Sequence, residues 1–117
     1  MRRTVLIVDD HADFRAAART LLEAAGFAVV GEAATGSEAL AVAGRLEPEI
    51  VLLDIQLPDQ DGFAVAEQLA AGSGSCVVVL ISSREASAYG RRLARAPARG
   101  FIPKRSLSGA ALGSLVG

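Results

Sequence analysis

The sequence predicts an α/β protein in which a five-stranded parallel sheet is packed between two layers of helices. Two observations lead to this prediction. Short, continuous apolar runs rich in β-branched residues recur along the chain, as in strands that are buried on both faces. Between them lie segments whose apolar residues repeat at helical spacing, so that strands and helices alternate as βαβαβαβαβα. This alternation, without an internal repeat, favours a doubly wound, three-layer α/β/α sandwich.

The first part of the chain predicts two strands and two helices. The first strand is the run from Val5 to Val8, and the helix after it ends at Gly26, because glycine readily closes a helix. Phe27 to Val30 form a weaker second strand. Thr35 to Glu38 have the spacing of a capping box and open the second helix. Pro48 closes that helix, since the residue before a proline disfavours helical geometry.

The middle of the chain predicts the third strand, the third helix and the fourth strand. The third strand is the run from Ile50 to Leu53, and the fourth is the run from Val77 to Ile81. Asp61 is a suitable cap for the helix between them. Gly72 to Ser75 are predicted to form the flexible turn that leads out of this helix.

The last part predicts a weak helix, a short strand and a final helix. The weak helix covers roughly Glu85 to Arg95, and Gly90 in its middle lowers its helical propensity. Gly100 to Ile102 form the fifth strand, and Ser108 caps the last helix.

Composition indicates one soluble globular domain over residues 1–117, because the chain can bury a core but is too short for two domains. The net charge of −1 gives no reason to expect direct nucleic-acid binding. A single cysteine, Cys76, allows no disulfide framework and fits the reducing cytoplasm. No apolar run approaches the length of a membrane span. We therefore expect a cytoplasmic domain without membrane contact.

Polar side chains follow the predicted strands at their carboxyl ends, where open α/β sheets bind ligands. Asp9 and Asp10 follow the first strand, and Asp54 follows the third. Ser82 follows the fourth strand and Lys104 the fifth. Three carboxylates at one edge would repel each other without a hard cation, and Mg²⁺ suits them because it prefers oxygen ligands. Each residue alone has an ordinary explanation as a cap, turn former or solvated group, so the site is predicted from their convergence.

These residues lie in motifs that resemble the receiver domains of bacterial two-component response regulators. The matching segments are Val8-Asp9-Asp10-His11, Leu52 to Gly62, Ser82, and Gly100-Phe101-Ile102-Pro103-Lys104. They occur in the family's order over essentially the whole chain, so the resemblance implies a flavodoxin-like (βα)5 fold. The Asp-Asp-His start and the Pro-Lys order are similar to receivers attached to helix-turn-helix domains that bind DNA.

The resemblance implies a role for each residue of the acidic edge. Asp54 would accept a phosphoryl group. Lys104 would pair with Asp54 before the transfer and with the phosphoryl oxygens after it. Mg²⁺ would be bound directly by Asp10, Asp54 and the backbone carbonyl of Gln56, while Asp9 would act mostly through water. Such a domain catalyses its own phosphorylation and dephosphorylation, and it is not otherwise an enzyme.

The resemblance also implies a switch and partners. Ser82 would donate a hydrogen bond to the phosphoryl group, and Phe101 would be the aromatic residue that changes rotamer with it. The phosphoryl donor would be a phosphohistidine on a sensor histidine kinase. The surface of the fourth helix, fifth strand and fifth helix, with its arginine cluster, would bind an effector or a second copy of the domain.

Alternative functions have specific sequence requirements. A phosphohydrolase that forms an aspartyl-phosphate would usually have Asp-x-Asp after the first strand, where this chain has Asp9-Asp10-His11. A cofactor-binding module would need a glycine-rich phosphate loop, and neither common form occurs. A scaffold that works without phosphorylation would normally lack an acidic or lysine position. The phosphoryl-acceptor hypothesis is therefore favoured.

Overall fold

A computed structural model describes residues 2–72 and 75–117, and it has the predicted architecture. All strand pairs are parallel, and the sheet order is β2-β1-β3-β4-β5. The strands are β1 (Thr4–Val8), β2 (Ala28–Ala33), β3 (Ile50–Asp54), β4 (Val77–Ser82) and β5 (Gly100–Pro103). The helices are α1 (Ala12–Ala24), α2 (Gly36–Leu46), α3 (Gly62–Ala71), α4 (Arg91–Arg95) and α5 (Gly109–Val116). Two positions of the predicted turn after α3, 73 and 74, lie outside the described residues.

The sheet is buried on both faces, which explains the continuous apolar runs of its strands. Residues of β1, β3 and β4 alternate between two hydrophobic clusters. One cluster contains buried residues of α1 and α5, and the other contains buried residues of α2 and α3. No helix within the described residues is long and apolar enough to cross a membrane.

The predicted helix caps are present. The side chains of Thr35, Asp61 and Ser108 each accept a hydrogen bond from a backbone N–H in the first turn of their helix, at 2.9 to 3.1 Å. At α2 the capping box is modified, because the Glu38 carboxylate accepts from the N–H of Ala34 at 2.8 Å. These caps satisfy backbone donors that the helix leaves free.

The predicted fourth helix from Glu85 to Arg95 is wrong in its first half. The structure has a 3₁₀ turn at Ala86–Ala88, and α4 begins only at Arg91. Gly90 separates the two with φ of 56° and ψ of −130°, a conformation that favours glycine. None of the five residues of α4 is buried, so packing does little to extend the helix.

Gly62 brings the start of α3 against the carboxyl end of β3. Its N–H donates to the carbonyl of Ile55 at 2.7 Å. A Cβ atom at this position would lie 2.4 Å from the backbone oxygen of Asp54 and 2.7 Å from the Ile55 Cα. The absence of a side chain is therefore what allows the loop after β3 to fold back beside Asp54.

We expect Gly62→Ala to lower the free energy of unfolding by about 2 kcal/mol, since backbone must move to admit the methyl group. Gly44→Ala is the matched control, because Gly44 lies in α2 with nothing within 4 Å of its added Cβ. The control should gain about 0.5 to 1 kcal/mol from helical propensity. Urea unfolding of both variants checks the prediction, and equal effects would contradict it.

Candidate functional site

The structure brings the three predicted carboxylates together at the carboxyl edge of the sheet. Asp9 and Asp54 are buried, with Asp54 only 1% exposed, whereas Asp10 lies at the solvent-exposed rim. One potential ligand atom from each of these residues and from His11 lies within 4.8 Å of the others. The His11 side chain is 69% exposed, and its Nδ1 lies 3.1 Å from Asp10 Oδ1. The edge is thus a compact acidic cluster with an open side.

Lys104 is the cation of this cluster. Its Nζ lies 2.5 Å from Asp9 Oδ2 and 3.4 Å from Asp54 Oδ2, and it packs over the ring of Phe14 at 4.8 Å. The nearer carboxylate is therefore Asp9, whereas the family resemblance named Asp54 as the partner. Asp9 Oδ2 is buried, so the Lys104 ammonium group supplies its charge partner in place of water.

Burial and neighbouring charges alter the acidity of the site. Burial raises the pKa of Asp54 from 3.8 to about 6, and the negative charge of Asp9 adds to the increase. The N–H of Gln56, 3.1 Å from Asp54 Oδ1, and the Lys104 ammonium oppose this effect. For Lys104 itself, burial would lower the pKa, but Asp9 and Asp54 outweigh it and raise the pKa. Lys104 is consequently charged at neutral pH.

Arg15 holds the end of β1, although sequence reasoning gave it no role. It donates to the backbone carbonyl of Asp9 at 2.5 Å, and its Nε donates to Glu32 at 3.0 Å. Burial would raise the pKa of Glu32, but Arg19 and Arg15 lower it overall. Helical periodicity places Arg15 on the polar face of α1 without indicating a backbone partner, so no local signal could have identified this contact.

Asp59 connects the loop after β3 to the start of α2, and sequence reasoning missed this role too. Its carboxylate accepts hydrogen bonds from the N–H groups of Gly36 at 2.8 Å and Ser37 at 3.0 Å, and from the Ser37 hydroxyl at 3.1 Å. These bonds lower the pKa of Asp59 to about 2. The motif that contains Asp59 is recognisable in sequence. Its hydrogen bonds to the start of α2 could not be predicted, because they join two loops that are distant in sequence.

The predicted switch residues lie on β4 and β5, which are on the opposite side of β3 from β1. Ser82 is fully buried at the end of β4, and its Oγ accepts from the N–H of Arg84 at 3.0 Å. The same oxygen lies 2.5 Å from the hydroxyl of Tyr89, a residue that sequence reasoning did not single out. Phe101 is half-buried on β5, and its ring contacts the ring of Tyr89 edge to face.

The family model for the response regulator receiver domain matches residues 5–112. The chain belongs to this family. It is 41% identical over 101 residues to a predicted transcriptional regulator of Pseudomonas aeruginosa, covering 86% of the receiver and 49% of that protein. It is 36% identical over 104 residues to the regulator BvgA of Bordetella pertussis, covering 89% and 50% respectively. The receiver therefore spans about half the length of the curated relatives it matches.

A solved structure is similar to the receiver over almost its whole length. The signal receiver domain of the response regulator NarL from Mycobacterium tuberculosis has 30% identity and a TM-score of 0.87, with 99% of this chain and 98% of that chain covered. The predicted family and fold are confirmed: the chain is a response regulator receiver domain. The phosphohydrolase and scaffold alternatives are not favoured.

Proposed function

We propose that this receiver accepts a phosphoryl group on Asp54 from a phosphohistidine of a sensor histidine kinase. The observation that carries the proposal is the position of Asp54, a buried carboxylate at the end of the central strand with an ammonium group 3.4 Å away. Two further carboxylates at the same edge can recruit a cation. An arrangement of this kind can receive a dianionic group that a lone buried carboxylate would repel.

The residues divide the transfer chemistry between them. Asp54 Oδ1 is held by the Gln56 N–H, while Oδ2 faces Lys104. A carboxylate oxygen forms the new P–O bond as the P–N bond to the donor imidazole breaks, and the electron pair leaves with the imidazole. Lys104 then neutralises negative charge on the phosphoryl oxygens. The pKa of Asp54, about 6, leaves most of this carboxyl ionised at neutral pH, as a nucleophile requires.

The donor set of the acidic cluster fits Mg²⁺. The carboxylates are hard oxygen donors, and one ligand atom from each of Asp9, Asp10 and Asp54 lies within 4.8 Å of the others. We propose that Asp10, Asp54 and the Gln56 carbonyl hold the ion directly, with Asp9 acting mostly through water. When bound, Mg²⁺ supplies positive charge beside the phosphoryl oxygens.

We expect Asp10→Ala to weaken Mg²⁺ binding by about tenfold or more, since it removes a charged ligand. Loss of a carboxylate also relieves repulsion, so the melting temperature without Mg²⁺ should rise. Asp13→Ala is the matched control, because Asp13 is an exposed carboxylate in the first turn of α1. Amide NMR shifts during Mg²⁺ titration measure the affinity. Equal affinity in Asp10→Ala and wild type would contradict the role of Asp10.

Phosphoryl capture can be tested directly. After incubation with acetyl phosphate and Mg²⁺, intact-mass spectra should show one added phosphoryl group. Borohydride reduction converts an aspartyl phosphate to homoserine, so peptide mapping should locate homoserine at position 54. Mapping to another carboxylate, or the absence of any adduct, would refute the assignment.

We further propose that phosphorylation is read at the surface of α4, β5 and α5. Arg91, Arg95 and Arg99 are exposed there and give the surface a positive charge that suits an acidic partner. The Pseudomonas aeruginosa and Bordetella pertussis relatives are named as transcriptional regulators, and EvgA of Escherichia coli, 32% identical over 100 residues, is named as a DNA-binding activator, which supports a DNA-binding effector as the downstream element. The sensor kinase would present its phosphohistidine in the cytoplasm. Loss of the phosphoryl group, catalysed by the receiver itself, would end the signal.

A further inference from the structure

Tyr89 contacts the predicted switch serine directly. It follows the 3₁₀ turn at Ala86–Ala88, and its hydroxyl lies 2.5 Å from Ser82 Oγ. The same oxygen accepts the backbone N–H of Arg84. A serine hydroxyl has one proton and two acceptor positions, so these partners engage most of its hydrogen-bonding capacity. In this structure Ser82 Oγ is therefore held against Tyr89 and the backbone of Arg84.

The ring of Tyr89 contacts two other aromatic residues. It meets the ring of Phe63 at 5.7 Å and the ring of Phe101 at 6.1 Å, both edge to face. Phe101 pairs with Leu80 across β4 and β5, and strand alternation places Ser82 on the same face as Leu80. Tyr89 consequently touches Ser82 through its hydroxyl and Phe101 through its ring.

We propose that Tyr89 is a positioning residue that holds Ser82 in the resting orientation and transmits its release to Phe101. This inference rests on the proposed function together with the role that the family resemblance implies for Ser82, which donates a hydrogen bond to the phosphoryl group on Asp54. In this proposal the movement of Ser82 Oγ towards the phosphoryl group breaks its present contact with Tyr89. The freed tyrosine then loses the contact that fixes its ring beside Phe101, and the two aromatic side chains rearrange together.

The surroundings of Tyr89 favour such movement. The preceding 3₁₀ turn contains no buried residue, and neither does α4. Gly90 follows Tyr89 directly with positive φ, which gives the backbone a flexible joint. Arg92 fixes the start of α4, because it donates to Asp61 at 2.8 Å and stacks over the Phe63 ring at 4.3 Å. The segment between Ser82 and Arg92 can thus move with little loss of burial.

A single tyrosine in the sequence makes the proposal directly measurable. Protein labelled with ¹³C at the tyrosine ζ-carbon gives one resonance, which reports the state of the Tyr89 hydroxyl. Ser82→Ala should shift this resonance without any phosphoryl group, whereas Ser83→Ala, at an exposed neighbour, should not. Beryllofluoride, which mimics the phosphoryl group, should move the wild-type resonance towards its position in Ser82→Ala. An unmoved resonance in either case would overturn the proposal.

Tyr89→Phe separates the hydroxyl from the ring. It keeps the aromatic contacts but removes the bond that opposes switching, so beryllofluoride should bind about fivefold more tightly than to wild type. In the Ser82→Ala background, the same change should give no gain in affinity. Unchanged affinity of Tyr89→Phe would overturn the holding role. Failure of beryllofluoride to bind wild type would instead overturn the proposed function, and the Ser82→Ala resonance would still test the Tyr89 contact independently.

Discussion

Asp54→Asn is expected to abolish phosphoryl capture and, at neutral pH, to make the receiver more stable. The amide oxygen and nitrogen of asparagine are not nucleophiles for phosphorus under these conditions, so the mass increase with acetyl phosphate should vanish. The stabilisation follows from burial, because ionised Asp54 is disfavoured in the folded protein and its pKa is raised from 3.8 to about 6. A difference of this size, which already includes the attraction to Lys104, corresponds to about 3 kcal/mol at most. We expect a gain of about 1 to 2 kcal/mol, because asparagine does not reproduce every contact of the neutral carboxyl group.

The pH dependence provides an independent check of the same variant. Since the folded pKa of Asp54 is above its unfolded value, the folded state binds more protons between about pH 4 and about pH 6. Asp54 therefore destabilises the wild type progressively as pH rises through this window. The advantage of Asp54→Asn should be complete above about pH 6 and disappear below about pH 4. Urea unfolding of both proteins across this range measures the difference.

Asp59→Asn is the matched control for the first prediction. The pKa of Asp59 is lowered to about 2 by its hydrogen bonds to the start of α2. A lowered folded pKa contributes stability that is present above the unfolded pKa and lost as pH falls, so this variant should be less stable than wild type at neutral pH. It should retain phosphoryl capture. Loss of capture in both variants, or stabilisation of both, would contradict the distinct roles of the two carboxylates.

Lys104→Met is expected to lower the free energy of unfolding by about 3 kcal/mol at neutral pH, because it leaves Asp9 and Asp54 buried without their cation. Methionine keeps much of the side-chain length and apolar contact, so the loss reports the charge. The Lys104 side chain is only 15% exposed, which limits compensation by water. Chemical unfolding with and without Mg²⁺ measures the effect, and added Mg²⁺ should restore part of the lost stability.

Two comparisons identify the cause of that destabilisation. Lys104→Arg keeps the positive charge and should lose less than half as much stability. Acidification should also reduce the difference between Lys104→Met and wild type, because protonation of Asp54, whose pKa is raised to about 6, removes part of the unpaired charge. A pH-independent loss, equal in the Met and Arg variants, would mean that packing rather than charge determines the role of Lys104.

The sequence alone was sufficient to predict the order of the strands and helices and to locate the candidate site at the carboxyl edge of the sheet. Strands buried on both faces need continuous apolar runs, and these runs are visible without a structure. The caps Thr35, Asp61 and Ser108 are local, because a capping side chain bonds a backbone group only three residues away. Parallel strands end at a common edge, so residues directly after them, such as Asp9, Asp54 and Lys104, were expected to converge.

Tertiary structure decided which of these groups touch and which unforeseen residues join them. Lys104 lies nearer to Asp9 than to Asp54, a distinction that depends on side-chain orientation at the edge. The break at Gly90 depends on tertiary packing, because α4 buries no residue that would extend the helix through the glycine. That break positions Tyr89 against Ser82. Periodicity specifies which face a residue occupies, but contacts between separate elements depend on how those elements pack in three dimensions.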